Sequence, residues 1–336
     1  MAPDISKIVV EQLPNGPSVE EASSQLLMQC NPRRLHTYNV DAPLSASSLS
    51  HVIQLPSLEE FWLVAPFHFL DPPSIPNTIF PSLRVLNVEL RGDFGWLKLL
   101  PKCPVLSVIR IGYPDPDVAQ FMETFHSTIT GCGMHDRLQE LTLWSPDEFK
   151  ITPQILACNF SFKNLVHFQL WSFKSTPCQT LDLTDADVDL LTNAMPCLIT
   201  LIIGEEPCSA PSKITFNSLY TISRRCTRLK KLQIHFNPDS FITKMNAQAG
   251  SDSGNSGFEN PSSNLCSVTN INVGSIGLPG QCNVSYIMAL GLMRVFPRLE
   301  EVEYDVVEYE YGDGAWEEIN SLIGFHQRIR TAFVRE

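Results

Sequence analysis

The sequence predicts an α/β solenoid (a horseshoe-like stack of strand–helix repeats) with parallel strands on its concave face. Three observations predict it. A short register recurs ten times between Leu35 and Tyr304: an apolar residue, a second three positions later, and a third two after that. The stretches between copies hold about one helix each, and several open on helix-capping residues. The 336 residues are 43% apolar and 18% charged, enough to bury a large core and unlike a disordered chain.

The copies run in order along the chain. RRLHTYNV supplies Leu35, Tyr38 and Val40, PSLEEFWL supplies Leu58, Phe61 and Leu63, and PSLRVLNV supplies Leu83, Leu86 and Val88. PVLSVIRI gives Leu106, Ile109 and Ile111, DRLQELTL gives Leu138, Leu141 and Leu143, and FKNLVHFQL gives Leu165, Phe168 and Leu170. Then come PCLITLII (Leu198, Leu201, Ile203), TRLKKLQI (Leu229, Leu232, Ile234), CSVTNINV (Val268, Ile271, Val273) and PRLEEVEY (Leu299, Val302, Tyr304). Successive copies start 23–39 residues apart. The last two apolar positions are two apart, so they share one face of a short strand, and the first turns inward just before it.

The intervening stretches read as helices. Asp115-Pro116 places an N-cap and a first-turn proline before DVAQFMETFHSTI, and Thr152-Pro153 repeats the device before QILACNF. Thr184 with Asp187 resembles a capping box ahead of VDLLTNAM. FNSLYTISRRC and NVSYIMALGLMRVF carry helical apolar spacing. A strand plus one helix cannot bury its apolar face alone, and stacking the units in parallel does so. An ordinary α/β sheet also alternates strand and helix but has no need of the same register ten times.

Composition narrows the partners. With 24 Lys+Arg against 36 Asp+Glu the formal charge is −12, which repels nucleic acid and anionic membrane surfaces. No apolar run reaches the roughly 18–20 residues of a membrane span, and the opening MAPDISKIVVEQLPNGP is not a secretory leader. The expectation is a soluble, intracellular chain, with cytoplasm and nucleus not distinguished. The ten cysteines then read as reduced thiols packed as small hydrophobes. The sequons Asn159-Phe160-Ser161 and Asn283-Val284-Ser285 read as chance matches.

These repeats resemble leucine-rich repeats, and most closely the repeat regions of fungal F-box-type proteins, in which P-x-L-x-x-L-x-L alternates with helices such as LTDADVDLLTNAMPCL. Cys103 and Cys226, each three residues before a repeat leucine, and Cys197, one before, are similar to the cysteine-containing repeat subtype. The resemblance implies a substrate-recognition subunit of a cullin-type ubiquitin ligase, whose repeats hold a target protein while an N-terminal F-box docks the ligase adaptor. Residues 13–30 open on Leu-Pro as an F-box does but are too few for its three-helix core. The expectation is therefore a family member without the F-box or a truncated product, with the adaptor a partner only if an F-box lies upstream. The domains expected are 1–29, an N-terminal helical cap or remnant; 30–311, the solenoid; and 312–336, a C-terminal capping helix.

The longest spacing holds NAQAGSDSGNSGFENPSSN (246–264), read as a mobile loop. Residues 71–79 and 172–180 read as loops fixed by proline. Between Leu299 and Glu318 stand nine acids and no Lys or Arg. Within that run Glu301, Glu303 and Asp305 alternate on one strand face as an acidic patch, either the solvated surface of a capping repeat or a dock for a basic segment.

Strand alternation exposes the residues that flank the second and third apolar positions. On the concave face this places Glu60, Trp62 and Val64; Val108 and Arg110; Glu140, Thr142 and Trp144; His167, Gln169 and Trp171; and Lys231, Gln233 and His235. Three of the five tryptophans fall there, with Trp144 and Trp171 expected side by side. Tryptophan is enriched in binding hot spots because a large rigid surface desolvates at low entropy cost. The candidate partner-binding set is Trp62, Arg110, Thr142, Trp144, Gln169, Trp171, Gln233 and His235. No nucleotide, nucleophile-elbow or zincin motif is present, and Cys132 with His135 has no second ligand pair at zinc spacing. No cofactor, metal site or catalytic residue is expected, and the chain reads as a protein-interaction module rather than an enzyme.

Overall fold

The structure, a computed structural model, describes residues 5–10, 17–40, 44–65, 78–90, 95–113, 118–145, 150–172, 181–204, 212–249, 266–273, 282–304 and 313–334. They fall in two compact units, Met1–Asp147 and Glu148–Glu336. Both are built of parallel strands paired in chain order and alternating with helical segments, the α/β leucine-rich-repeat type of solenoid that the register predicts.

In the first unit the strands are β1 (Lys7–Val10), β2 (Thr37–Val40), β3 (Glu60–Ala65), β4 (Val85–Leu90), β5 (Val108–Gly112) and β6 (Glu140–Ser145). Between them lie α1 (Pro17–Gln29), α2 (Ala46–Val52) and α3 (Val118–Gly131), with 3-10 helices at Gly95–Lys102 and Met134–Asp136. Strands β2 to β6 sit on the first five sequence copies. Strand β1 (KIVV) is additional: it pairs Ile8 with Tyr38 and buries Ile8, and Ile5, Ile8 and Val10 repeat the register with an isoleucine lead outside the ten copies read from the sequence.

In the second unit α4 (Pro153–Ala157), β7 (His167–Ser172), α5 (Asp185–Ala194), β8 (Thr200–Ile203), α6 (Phe216–Arg225), β9 (Lys231–Ile234), α7 (Asp239–Ala249), β10 (Asn270–Asn272), α8 (Cys282–Val295), β11 (Glu301–Glu303) and α9 (Asp313–Val334) follow in order. The strands pair in parallel from β7 through β11. The Thr152 hydroxyl caps α4, whose proline stands in the first turn, and Asp187 reaches back to the Thr184 amide at 2.8 Å ahead of α5, as the spacing predicts. Helix α7 runs four residues into the segment read as a loop; residues 250–264 of that segment, the Asp115-Pro116 cap, and loop positions 71–77 and 173–180 lie outside the described residues.

One main-chain device recurs within each unit. The carbonyl just after a lead leucine accepts two amides from the next repeat: His36 from Glu59 and Glu60 (2.8 and 3.0 Å), Glu59 from Arg84 and Val85 (2.8 and 3.0 Å), and Ile199 from Lys230 and Lys231 (2.8 and 3.1 Å). That linkage locks the register, so like positions stack. Lead residues from Leu35 to Leu299, all ten, are 0% exposed, and Phe61, Leu86, Ile109 and Leu141 stand opposite one another in the core. Truncating any such leucine to alanine would cost about 2–5 kcal/mol.

Repeat length decides the backing element. The 23-residue repeats carry the seven-residue α2 or the eight-residue 3-10 helix, whereas those of 31–33 residues carry helices of 10–14. A 3-10 helix rises about 2.0 Å per residue against 1.5 Å, so fewer residues cover the same height.

Helix α9 closes the outer edge of β11. The Asn320 side-chain amide accepts from the Val302 N–H and donates to the Val302 carbonyl, both at 2.8 Å, as a neighbouring strand would. Gln327 donates to the carbonyls of Pro297 and Leu299 (3.3 and 2.8 Å), and Trp316 stacks on Tyr304.

Among the described residues seven cysteines are free thiols. Burial pushes Cys103 and Cys226 up to about 12, which keeps them protonated and unreactive. Asn159 is fully buried and donates to Ile155 O at 2.8 Å, so its sequon presents no reachable amide in the folded chain. No described helix is long and apolar enough to cross a membrane.

Candidate functional site

Alternate residues of β3 to β6 face away from the core, and the parallel register aligns them in rows. One row runs Trp62, Asn87, Arg110, Thr142. The next runs Val64, Glu89, Gly112, Trp144. Adjacent strands lie about 4.8 Å apart, so the first row spans about 14 Å.

Arg110 is the fixed cation of this face. Its Nε donates to Glu140 Oε1 at 2.6 Å, and its side chain remains 43% exposed beside a Glu140 side chain that is 14% exposed. This pairing uses the Nε edge of the guanidinium and leaves the side chain part exposed. Trp62 is half-buried, with its Nε1 shielded and without a hydrogen-bond partner, and the hydroxyl of Thr142 is likewise shielded and unpaired. A buried polar group without a partner costs about 1–3 kcal/mol, so two in one row are a standing cost to the fold.

Depth differs from the alternation pattern at several positions. Thr142 is only 6% exposed: a short side chain between longer neighbours, it lies below the surface that Arg110 defines. Val64, expected outward, is buried. Trp144 is half-buried, its six-membered ring packed over the Cα of Gly112 in the paired strand. Asn87, which the sequence reading passed over, is buried in the middle of the row; its place in the third copy matches that of Trp62 and Arg110 and would have found it.

In the second unit the corresponding row is Gln169, Ile202, Gln233, Asn272. Gln169 and Trp171 are half-buried. Trp144 and Trp171 fall in different units. Gln233, expected outward, is 7% exposed because its amide donates to Gly204 O at 3.0 Å, a carbonyl turned by the left-handed backbone of Gly204 (φ 76°). His235 lies beyond the end of β9, half-buried, with Nδ1 shielded and unpaired; burial holds its pKa down at about 4, so the ring is neutral at pH 7. His167 Nδ1 meets Thr200 Oγ1 at 3.0 Å.

Of the acidic patch, Glu301 is exposed, whereas Glu303 is half-buried and accepts from Asn270 Nδ2 at 2.7 Å. Asp305 lies outside the described residues. Among the described residues no group of three His, Cys, Asp or Glu side chains is placed to hold a metal ion.

No family model matches the chain, and no curated protein matches it in sequence. Among solved structures it is similar to a chain in the crystal structure of the Rad7 and Elc1 complex in yeast, at 13% identity over 85% of this chain and 88% of that one, with a TM-score of 0.29.

Proposed function

We propose that the chain is a non-catalytic protein-interaction module that takes a partner polypeptide on the strand face of its first unit, centred on Trp62, Arg110 and Trp144. One observation carries the reading. The row holds a part-exposed guanidinium and a half-buried indole on a regular parallel face. Such groups are the complement of acceptors and donors on a partner's backbone and side chains. The finer reading, target recognition in a ubiquitin ligase of the F-box type, rests on the resemblance of the repeats.

The test is affinity capture with the wild-type chain and with two variants. Trp62→Ala removes an indole; Arg110→Gln made together with Glu140→Gln removes the cation without stranding a half-buried carboxylate. Loss of a captured protein by about tenfold in both, with a Lys213→Gln control unchanged, supports the face. Equal capture by all four chains refutes it. Recovery of a ligase adaptor with the bait supports the finer reading, and target without adaptor favours a stand-alone scaffold or inhibitor.

A further inference from the structure

We infer that the exposed face of α9 is a self-association surface, paired antiparallel with α9 of a second copy of this chain. The helix has two distinct sides. Trp316, Ile319, Ile323 and Gln327 turn inward, where Asn320 also bonds the edge of β11. The opposite side carries Glu317, Ser321, Phe325 and Arg328, all exposed, and Phe325 is 57% exposed.

That outer side is complementary to itself. Glu317 and Arg328 stand eleven residues apart, about three helical turns, and so lie along one line of the helix. A second α9 running antiparallel about the midpoint sets Glu317 of each copy against Arg328 of the other. The same operation sets each Phe325 one residue's rise from the small Ser321 of the other copy, so the ring falls between Ser321 and Glu317 on that outer face. Among the described residues neither Glu317 nor Arg328 has an ionic partner, so both charges are available to a second copy. This is the isologous geometry of a twofold dimer, in which a contact from one residue to another is made twice.

A polyanion is disfavoured as occupant because the chain carries −12 and Glu317 lies in the same stripe. A 22-residue helix is about 33 Å long and makes a small interface, so the expected dimer is weak, with a dissociation constant in the micromolar range.

The test is sedimentation velocity over a range of protein concentrations at low and high salt, with circular dichroism to check folding. Wild type is expected to dimerise, less so at high salt. Glu317→Arg alone and Arg328→Glu alone each set like charges face to face and should weaken association at least tenfold. The chain carrying both exchanges should recover the dimer, and an equimolar mixture of the two single variants should form a heterodimer. A wild type that stays monomeric to 200 µM at low salt overturns the inference. So does a single variant that associates as well as wild type, or a double variant and mixture that fail to recover.

Discussion

The indole of Trp144 lies directly over Gly112 on the neighbouring strand. A Cβ on that glycine would stand 2.2 Å from ring atom Cζ2 and 2.6 Å from Cε2 and Cη2. The glycine is the seat of the tryptophan, which makes Trp144 part of the packing of its face as well as part of its surface.

Gly112→Ala should therefore destabilise the first unit by about 1–3 kcal/mol, the usual cost of overpacking. Trp144→Ala should not be neutral either, since it empties the space above β5. Made in the Trp144→Ala background, Gly112→Ala should cost far less, and a denaturant-unfolding double-mutant cycle reads that coupling. Additive effects would show that the ring can swing away freely.

A second glycine carries an opposite expectation from its local setting. Gly291 sits inside α8, where alanine would ordinarily gain about 1 kcal/mol in helix propensity. Its Cβ would stand 2.4 Å from Phe241 Cζ and 3.0 Å from Phe216 Cζ, and those two rings stack at 3.9 Å. Gly291→Ala is expected to lower the unfolding midpoint, whereas Gly324→Ala in α9, whose Cβ would meet nothing within 4 Å, is expected to raise it. A rise in both would mean that the aromatic pair yields without cost.

The end of the solenoid depends on one side-chain amide. Asn320→Ala leaves the N–H and C=O of Val302 without their partners and should cost about 1–3 kcal/mol. Faster hydrogen exchange at the Val302 amide in that variant is the specific readout, because the helix propensity that alanine adds to α9 offsets part of the global cost but leaves that amide without its acceptor.

His235 predicts an acid-sensitive step. Its folded pKa of about 4 lies below the 6.5 of the free side chain, so between those values the unfolded chain binds the extra proton. Stability is fully present above about pH 6.5 and declines as pH falls toward 4, by at most about 3 kcal/mol from this residue. Asp182, held down at about 2 by Lys150 and Lys213, loses its contribution in a separate window below about pH 3.8. His235→Gln should flatten stability between pH 6.5 and 4 and leave the lower window intact. An unchanged slope would assign the acid step to another group.

Ten of the eleven described strands were read from the sequence, because an apolar lead residue and an alternating apolar pair are demands that each repeat states for itself. So were the Thr152 and Thr184 caps, which act within four residues. Strand β1 states the same demand through Ile5, Ile8 and Val10, and only its isoleucine lead set it apart from the ten copies. On the strand face the two-residue alternation gave side but not depth. Thr142, Gln233 and Val64 are buried, and Trp144 rests on Gly112, because depth depends on the length of side chains one strand away, about thirty residues distant in sequence. The ion pair of Arg110 with Glu140 and the closure of β11 by Asn320 are likewise contacts between repeats or across a helix turn back. The sequence alone determined the repeat and its inward residues; stacking decided which outward residues reach the surface and which are paired or shielded by the neighbouring strand.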